Sequence, residues 1–255
     1  MDTWDEGKSA QVFTNFRQYL MGWDKSQPDG GDVDYYRSGL ATPQFNGVVR
    51  VRSLTTVGGA VATAQAHLAD VPWWWWVGPD SPEGTSAALE TYGAVQLTTV
   101  PVMVRPLDHA VKLYDTPPGL WIEEVRDLDR LMELVSTYST SMGIPPGLET
   151  DLVQIESKRR DNENIIRLAA VLDGRVVGTT VVITAHNVAG IFLVHVAGAH
   201  RRRGIGAALT AAALQVGQER GMHLAALVAS PAGEPLYRRF GFTAVSEYRI
   251  FTIAS

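Results

Sequence analysis

Apolar and polar positions recur in a regular order along the second half of the chain, and the pattern predicts a series of elements. An apolar run at 121–125 predicts a strand. The next apolar residues have the spacing of one helical face: Leu128, Leu131, Met132 and Val135. Asp127 precedes them as a candidate N-cap, and a second, more polar helix is predicted over 149–160.

The pattern then changes to strands. Runs at 167–172 and 176–183 are joined by Asp173-Gly174, a dipeptide typical of tight hairpins. The remaining prediction is a strand at 191–196, a helix over 204–220 ended by Gly221, a strand at 224–229, a short helix at 231–240 and a strand at 242–253. Strands separated by helices at this spacing indicate an α/β (α+β) fold with some parallel pairing.

The first half is less regular. Its helices are predicted at 10–20, 60–68 and 86–92, and its strands at 48–51, 71–77 and 95–104. Pro117-Pro118-Gly119 breaks the chain and is typical of a connector. We therefore expect an N-terminal lobe at 1–106, a linker at 107–118 and a second domain at 119–255.

Composition excludes several functions. The 255 residues are 45% hydrophobic and 19% charged, an ordinary mixture for a folded protein. The absence of cysteine excludes disulfides, thiolate metal sites and cysteine nucleophiles. A net charge of −5 gives no indication of a nucleic-acid partner. Since the first residues lack a signal-peptide pattern and no apolar run reaches membrane-spanning length, we expect a cytoplasmic protein without a membrane partner.

One segment has the pattern of an anion site at a strand-to-helix junction. The strand ends with Val194, His195 and Val196, and the turn and helix start contain Arg201, Arg202, Arg203, Gly204, Ile205, Gly206 and Ala207. Glycines let an anion approach the backbone, and the first N–H groups of a helix are unpaired. The arginines add positive charge, so a pyrophosphate is the expected ligand.

The spacing fits neither a P-loop nor the dinucleotide fingerprint, because Leu209 occupies the place of the third glycine. It resembles the Gln/Arg-x-x-Gly-x-Gly/Ala signature of the GCN5-related N-acetyltransferase (GNAT) family, filled by Arg201, Gly204 and Gly206. The segment at 230–242 resembles the family's Asn-x-x-Ala-x-x-Leu-Tyr-x-x-x-Gly-Phe element, with Ser230 in place of Asn. The resemblance covers about residues 119–255.

This resemblance implies a mixed central sheet flanked by helices, acetyl-CoA as cosubstrate and acetyl transfer to a primary amine of a small molecule by direct attack. It places the pantetheine arm on the strand at 194–196 and the pyrophosphate on the turn at 201–207. Tyr237 is then the candidate acid for the leaving thiolate, or else a packing residue. Ser230 is shorter than Asn, which puts that cofactor contact in doubt. Transfer of another acyl group, a macromolecular acceptor and a non-catalytic CoA-binding module are the alternatives.

The general base is open. His195 lies beside the expected reaction centre, but strand alternation can equally turn it into packing. Glu156 and His186 are weaker candidates, and a water chain is a further alternative. The other histidines are scattered without metal-ligand spacing: His67, His109, His200 and His223. No metal site is therefore predicted.

The first half resembles a degenerate second copy. Gly58-Gly59 opens a predicted helix as Gly204 and Gly206 do, and the distance from Gly58 to Gly93 equals that from Gly206 to Gly241. The arginine turn is missing there, so we expect two related lobes, of which the first has lost cofactor binding. The chain would be a monomer, as a pseudo-dimer of lobes, or a homodimer.

Four consecutive tryptophans, at 73–76, are the most unusual segment. Alternation along a strand places two indoles on each face, as in a central strand covered on both sides. The alternative is an aromatic wall at the interface between the lobes that holds a substrate, with Tyr35 and Tyr36 beside it. The turn-rich segment at 42–47 is a candidate substrate-facing loop.

Overall fold

The computed structural model describes residues 4, 6–24, 31–108 and 116–253, and these form two compact units. One contains the described residues up to Val102 together with Ala244 onward, and the other spans Met103–Thr243. The mixed α/β fold with a largely antiparallel sheet and flanking helices is confirmed. The predicted boundaries, at 1–106, 107–118 and 119–255, stay a prediction. Of the linker, residues 109–115 lie outside the described part of the chain.

The first unit is a small sheet with helices on both faces. Its elements are α1 (Glu6–Met21), β1 (Val33–Arg37), β2 (Asn46–Val51), α2 (Val57–His67), β3 (Trp74–Val77), α3 (Thr85–Thr91), the first part of β4 (Val95–Pro106) and most of β10 (Thr243–Thr252). β1 is antiparallel to β2, β2 is parallel to β3, and β3 is antiparallel to β10. The sequence does not predict β1, because Asp34 and two tyrosines interrupt the apolar pattern in a five-residue strand.

The tryptophan run lies on the central strand of this unit. Trp73 and Trp75 belong to the buried cluster that includes Ala60 and Ala64 of α2, whereas Trp76 packs on Phe16 of α1 at 5.5 Å between ring centroids. Both faces of β3 are therefore covered, as alternation predicts. The alternative of an aromatic wall for a substrate stays a prediction.

The segment at 42–47 is built as a packed turn. Asn46 is fully buried, its side-chain oxygen accepts from the N–H of Ser38, and its side-chain nitrogen donates to the carbonyls of Leu40, Thr42 and Pro72. A Cβ at Gly47 would collide with the carbonyl oxygen of Trp74. These contacts give the segment a structural role in holding β2 against β3.

The second unit has the elements in the order predicted for the second half of the chain. They are β5 (Trp121–Glu124), α4 (Leu128–Met142), α5 (Glu149–Ser157), β6 (Ile165–Leu172), β7 (Arg175–Ala185), β8 (Val188–Val196), α6 (Ile205–Glu219), β9 (Leu224–Val228) and α7 (Glu234–Arg239). The strands from β5 to β8 are antiparallel neighbours, and β8 is parallel to β9. β10 follows, but most of it groups with the first unit.

Local signals explain several boundaries. The Asp127 carboxylate accepts from the backbone N–H of Arg130 at 2.8 Å and caps α4, as predicted. Asp173 and Gly174 both have positive φ and form the predicted hairpin turn between β6 and β7. Gly221, with φ +70°, follows Arg220, the C-cap residue of α6.

The core of the second unit lies between α6 and the sheet. Ala207, Ala211 and Leu214 of α6 pack in one buried cluster with Ile191 of β8 and Leu227 of β9. Gly217 permits this close approach, since a Cβ there would lie 2.8 Å from that of Ala189. The packing fixes the start of α6 beside the end of β8. Among the described residues, no helix has the length and apolar character to cross a membrane.

Candidate active site

The site begins where β8 separates from β9. The two strands pair from Val188 with Leu224 to Gly190 with Ala226, and β8 then continues to Val196. Its register with β7 shifts between Thr179 and Val181, and Leu193 has a positive φ of +49°. This β-bulge bends the strand, so the backbone of 191–196 runs away from β9. A strand that diverges from its neighbour offers backbone groups to a ligand.

The turn after β8 leads into α6 through a left-handed glycine. Gly204 has φ +82° and occupies the N-cap position, where no side chain caps the first N–H groups of α6. Those N–H groups lack intrahelical partners and carry the positive end of the helix dipole. The side chains of Arg201, Arg202 and Arg203 are exposed beside them. The structure thus places these groups together, and their role as an anion cradle stays a prediction.

Gly206 lies between the end of β8 and α7. A Cβ added there would be 3.5 Å from Leu236 Cδ2 and 3.9 Å from Val196 Cγ2, both ordinary contacts. Packing within the protein therefore does not require glycine at this position. Close approach of a ligand to the backbone would require it. The same distances show that the structure brings α7, which carries Tyr237, next to the cradle.

The three arginines have different surroundings. The Arg201 guanidinium donates from Nε to the Val196 carbonyl at 3.1 Å and from Nη2 to Ser141 Oγ at 3.3 Å. Arg203 Nη1 lies 3.3 Å from His200 Nδ1, on the turn itself. Arg201 is therefore engaged in holding the end of β8, whereas Arg202 and Arg203 project from the turn.

His195 is half-buried on β8 opposite Thr179. Burial, with a further contribution from the charge of Arg201, lowers the pKa of His195 to about 4. The imidazole is neutral at neutral pH, but it is a weak base. This weakens the interpretation of His195 as the group that deprotonates an ammonium.

Tyr237 is buried on the short helix α7 and packs edge-on against Phe242, with 6.0 Å between ring centroids. Desolvation raises the pKa of its hydroxyl to about 12. Ser230 Oγ accepts from the N–H of Gly233 at 3.2 Å, so the serine caps the turn that leads into this helix. Ser230 therefore has a local capping role within this turn.

The weaker base candidates lie in other surroundings. Glu156 is buried, and Arg167 donates to its Oε2 at 2.6 Å, so this carboxylate is committed to an ion pair. His186 and Asn187 have φ of +56° and +61° in the turn between β7 and β8, at the opposite end of β8 from Val196. The ion pair of Glu156 and the turn position of His186 both favour structural roles for these two residues.

The other described histidines lie in separate surroundings. His67 stacks on Tyr35 at 4.9 Å between centroids, His223 is exposed, and His109 lies outside the described residues. Among the residues that the structure describes, no three acidic or histidine side chains are grouped so that they could hold a metal ion.

Sequence reasoning missed three polar side chains that contact the end of β8. Thr179 and Thr180 donate to the carbonyls of Leu193 and Phe192, and Ser141 of α4 donates to that of Val196 at 3.2 Å. Thr179 and Thr180 stand within an apolar strand pattern, where β-branched residues suit a strand without any further role. No sequence signal pairs them with a carbonyl 12 to 14 residues away.

Comparisons with known proteins agree with this geometry. The model of the acetyltransferase (GNAT) family matches residues 128–242, which contain the cradle, Ser230 and Tyr237. Residues 128–242 therefore carry a GNAT-family domain, and this family implies acyltransferase activity. A search of curated proteins found no match.

Solved structures share the fold over nearly the whole chain. A GCN5-related N-acetyltransferase from Kribbella flavida has a TM-score of 0.76 and 17% identity, with 98% of this chain and 97% of that chain covered. One from Sphaerobacter thermophilus has a TM-score of 0.64 and 20% identity, covering 86% and 75%. A tandem GNAT protein from the clavulanic acid biosynthesis pathway has a TM-score of 0.58 and 16% identity, covering 96% and 95%. At these identities the likeness concerns the fold.

Proposed function

We propose that this protein is an acetyl-CoA-dependent N-acetyltransferase that acetylates the primary amine of a small molecule by direct attack. The observation that carries the proposal is the junction of β8, the arginine turn and α6. A diverging strand, exposed arginines and uncapped helix N–H groups meet within 194–207. This combination suits a ligand with a pyrophosphate followed by an extended amide chain.

In this assignment the pyrophosphate binds to the first N–H groups of α6, beside Gly204, Ile205, Gly206 and Ala207. Arg202 and Arg203 supply charge. Arg201 acts through the end of β8, given its bonds to Val196 and Ser141. The pantetheine arm pairs with the backbone of Val194, His195 and Val196. A backbone N–H near Val196 then stabilises negative charge on the thioester oxygen during attack.

The chemistry needs no covalent enzyme intermediate. The amine nitrogen bonds to the thioester carbonyl carbon, and the carbon–sulfur bond breaks. The thiolate of CoA takes a proton from the Tyr237 hydroxyl, which regains one from solvent. Because burial raises the pKa of Tyr237 to about 12, this hydroxyl is protonated at neutral pH, as an acid catalyst must be.

The proton of the attacking amine has no strong acceptor on β8, since the pKa of His195 is lowered to about 4. We therefore favour its transfer to solvent through water, and the base role of His195 stays a prediction. The acceptor amine must arrive neutral, so turnover should rise with pH until the pKa of the acceptor is reached.

The two halves have the same topology, which supports the proposal of two related lobes. β1, β2, α2, β3 and α3 repeat the order and pairing of β7, β8, α6, β9 and α7, with one antiparallel and one parallel pair in each half. We propose that the N-terminal lobe has lost cofactor binding. Monomeric or homodimeric assembly and a cytoplasmic location stay predictions.

The first test is a thermal-shift titration with acetyl-CoA, with free CoA and NAD as comparisons. Ligand at about 100 times its Kd should stabilise the protein by about 2.7 kcal/mol, a shift of several degrees for a chain of this size. Arg203→Ala should reduce the shift. Arg220→Ala, an exposed arginine at the other end of α6, is the matched control and should retain it. Absence of a shift at millimolar acetyl-CoA would contradict the proposal.

The second test is turnover with a panel of small amines. Tyr237→Phe should lower kcat about 100-fold, within the usual range for an acid catalyst, and keep the shift with acetyl-CoA. If Arg203→Ala and Tyr237→Phe both keep full activity, the site assignment is wrong. Binding of acetyl-CoA without turnover of any amine would favour a non-catalytic CoA-binding module. Faster turnover with another acyl-CoA would identify that compound as the preferred acyl donor.

A further inference from the structure

The bulge in β8 is held by two hydroxyl groups of the neighbouring strand. Thr179 Oγ1 donates to the Leu193 carbonyl at 2.7 Å, and Thr180 Oγ1 donates to the Phe192 carbonyl at 3.2 Å. Both threonines are fully buried. They are consecutive residues at the point where the register between β7 and β8 shifts.

The backbone at this point needs an external hold. Leu193 has φ +49°, a left-handed conformation that a side chain with a Cβ adopts at a cost. The pairing between β8 and β9 ends at Gly190, so the parallel neighbour does not fix this stretch. The threonine hydroxyls add hydrogen bonds to the carbonyls of Phe192 and Leu193 at this irregular point of the ladder.

The far end of the same stretch is anchored separately. The Val196 carbonyl accepts from Ser141 Oγ at 3.2 Å and from Arg201 Nε at 3.1 Å. Residues 194–196 are therefore fixed at both ends, by the bulge at one end and by the hydrogen bonds to the Val196 carbonyl at the other. The direction of the strand between them depends on the bulge.

We propose that Thr179 and Thr180 are positioning residues of the acyl-transfer site, whose hydroxyls hold the bulge and so direct the backbone of 194–196 toward the thioester. This inference rests on the proposed function, which places the pantetheine arm on that backbone. Neither threonine touches the reacting atoms. Their effect is transmitted through the carbonyls of Leu193 and Phe192.

Isosteric variants separate the hydroxyl from the packing. Thr179→Val keeps the branched shape and removes the hydroxyl, whereas Thr179→Ser keeps the hydroxyl. Thr184→Val is the matched control, because Thr184 lies on the same strand, is buried, and donates to the Asn164 carbonyl at 3.4 Å, away from the bulge. Thr180→Val tests the second hydroxyl in the same way.

With saturating acetyl-CoA, Thr179→Val should lower kcat about tenfold, the scale of one buried hydrogen bond, and leave the KM for the amine unchanged. Thr179→Ser should restore kcat to within about twofold of the wild type, and Thr184→Val should match the wild type. If Thr179→Val keeps wild-type kcat, or Thr184→Val loses as much, the proposal is overturned.

Amide hydrogen exchange gives a readout without turnover. In Thr179→Val the backbone amides of 192–197 should exchange at least about tenfold faster than in the wild type, and those of 188–190 should not. If exchange at 192–197 is unchanged, the Thr179 hydroxyl does not stabilise the bulge and the proposal is overturned. If the wild type fails to bind acetyl-CoA while exchange responds as expected, the proposed function fails and with it the positioning role, but the structural hold is supported.

Discussion

At the scale of single residues, surroundings rather than residue type decide what each side chain can do. His195 has the side chain expected of a base, yet burial and the nearby charge of Arg201 lower its pKa to about 4. Glu156 is an acidic residue in the same domain, yet its carboxylate is bound by Arg167. Tyr237, in contrast, keeps its proton because it is buried.

The lowered pKa of His195 predicts a stability that depends on pH. The unfolded chain binds a proton near pH 6.5, whereas the folded chain does so only near pH 4. Acidification from 6.5 to 4 therefore favours the unfolded state, by up to about 1.4 kcal/mol per pH unit. His195→Gln should flatten this part of the curve.

The measurement is urea unfolding from pH 7 to pH 4.5, within the range where the protein stays two-state. His223→Gln, at an exposed position, is the control and should follow the wild type. If His195→Gln shows the same pH dependence of the free energy of unfolding as the wild type, His195 is not the group responsible.

The anion-binding character of the turn could be predicted from the sequence, but the hydrogen bonds of its side chains could not. Three arginines and two glycines at a strand-to-helix junction are enough to indicate an anion cradle. That Arg201 donates to the Val196 carbonyl depends on the path of the turn, and Arg202 has φ +63° within it. The bulge at Leu193 is equally hidden, because an apolar run carries no sign of which carbonyls leave the ladder.

At the scale of elements, the order of strands and helices in the second half could be predicted, since helical and strand periods are distinct there. The five-residue β1 could not, because Asp34 lies in it and binds Arg50 and Arg52 at 2.6 Å. The attachment of α5 to β6 could not be predicted either. It depends on the Glu156–Arg167 pair, which only the packed structure brings together.

Because this ion pair attaches α5 to β6, its removal should lower the stability of the protein strongly and leave kcat unchanged. Arg167 donates from Nε and Nη2 to Glu156 Oε2, and Tyr138 Oη lies 3.4 Å from Oε1. Glu156→Gln leaves a buried guanidinium without its counter-charge, which should cost about 3 kcal/mol or more in the free energy of unfolding.

The matched control is Glu234→Gln, which breaks the more exposed Arg238 pair on α7 and should cost less than about 1 kcal/mol. Urea unfolding gives both values, and kcat for Glu156→Gln, measured at a temperature where the variant is folded, should stay near the wild-type value. A kcat that falls by orders of magnitude in the folded variant would instead make Glu156 a candidate base again.

At the scale of the whole molecule, the described part of the chain contains the same topology twice, but the open cradle belongs to the second unit. In the first unit Arg50 of β2 and Arg52 just after it both bind the Asp34 carboxylate, which offsets part of their positive charge. The N–H of Val51 donates to Ser81 Oγ at 3.4 Å, and a Cβ added at Gly58 would collide with the Tyr92 hydroxyl. We therefore expect the chain's own side chains to exclude a ligand from this part of the first unit.

These contacts predict a binding stoichiometry of one acetyl-CoA per chain. Isothermal titration calorimetry should give a single class of site, and Arg203→Ala should weaken that site without uncovering a second one. The control is Tyr92→Ala, which removes the hydroxyl beside Gly58 and leaves Arg50 and Arg52 bound to Asp34. It should leave the stoichiometry at one, because anion binding at a helix start needs free positive charge as well as space. Two sites in the wild type, or a second site in Tyr92→Ala, would show that the N-terminal unit retains a functional cradle.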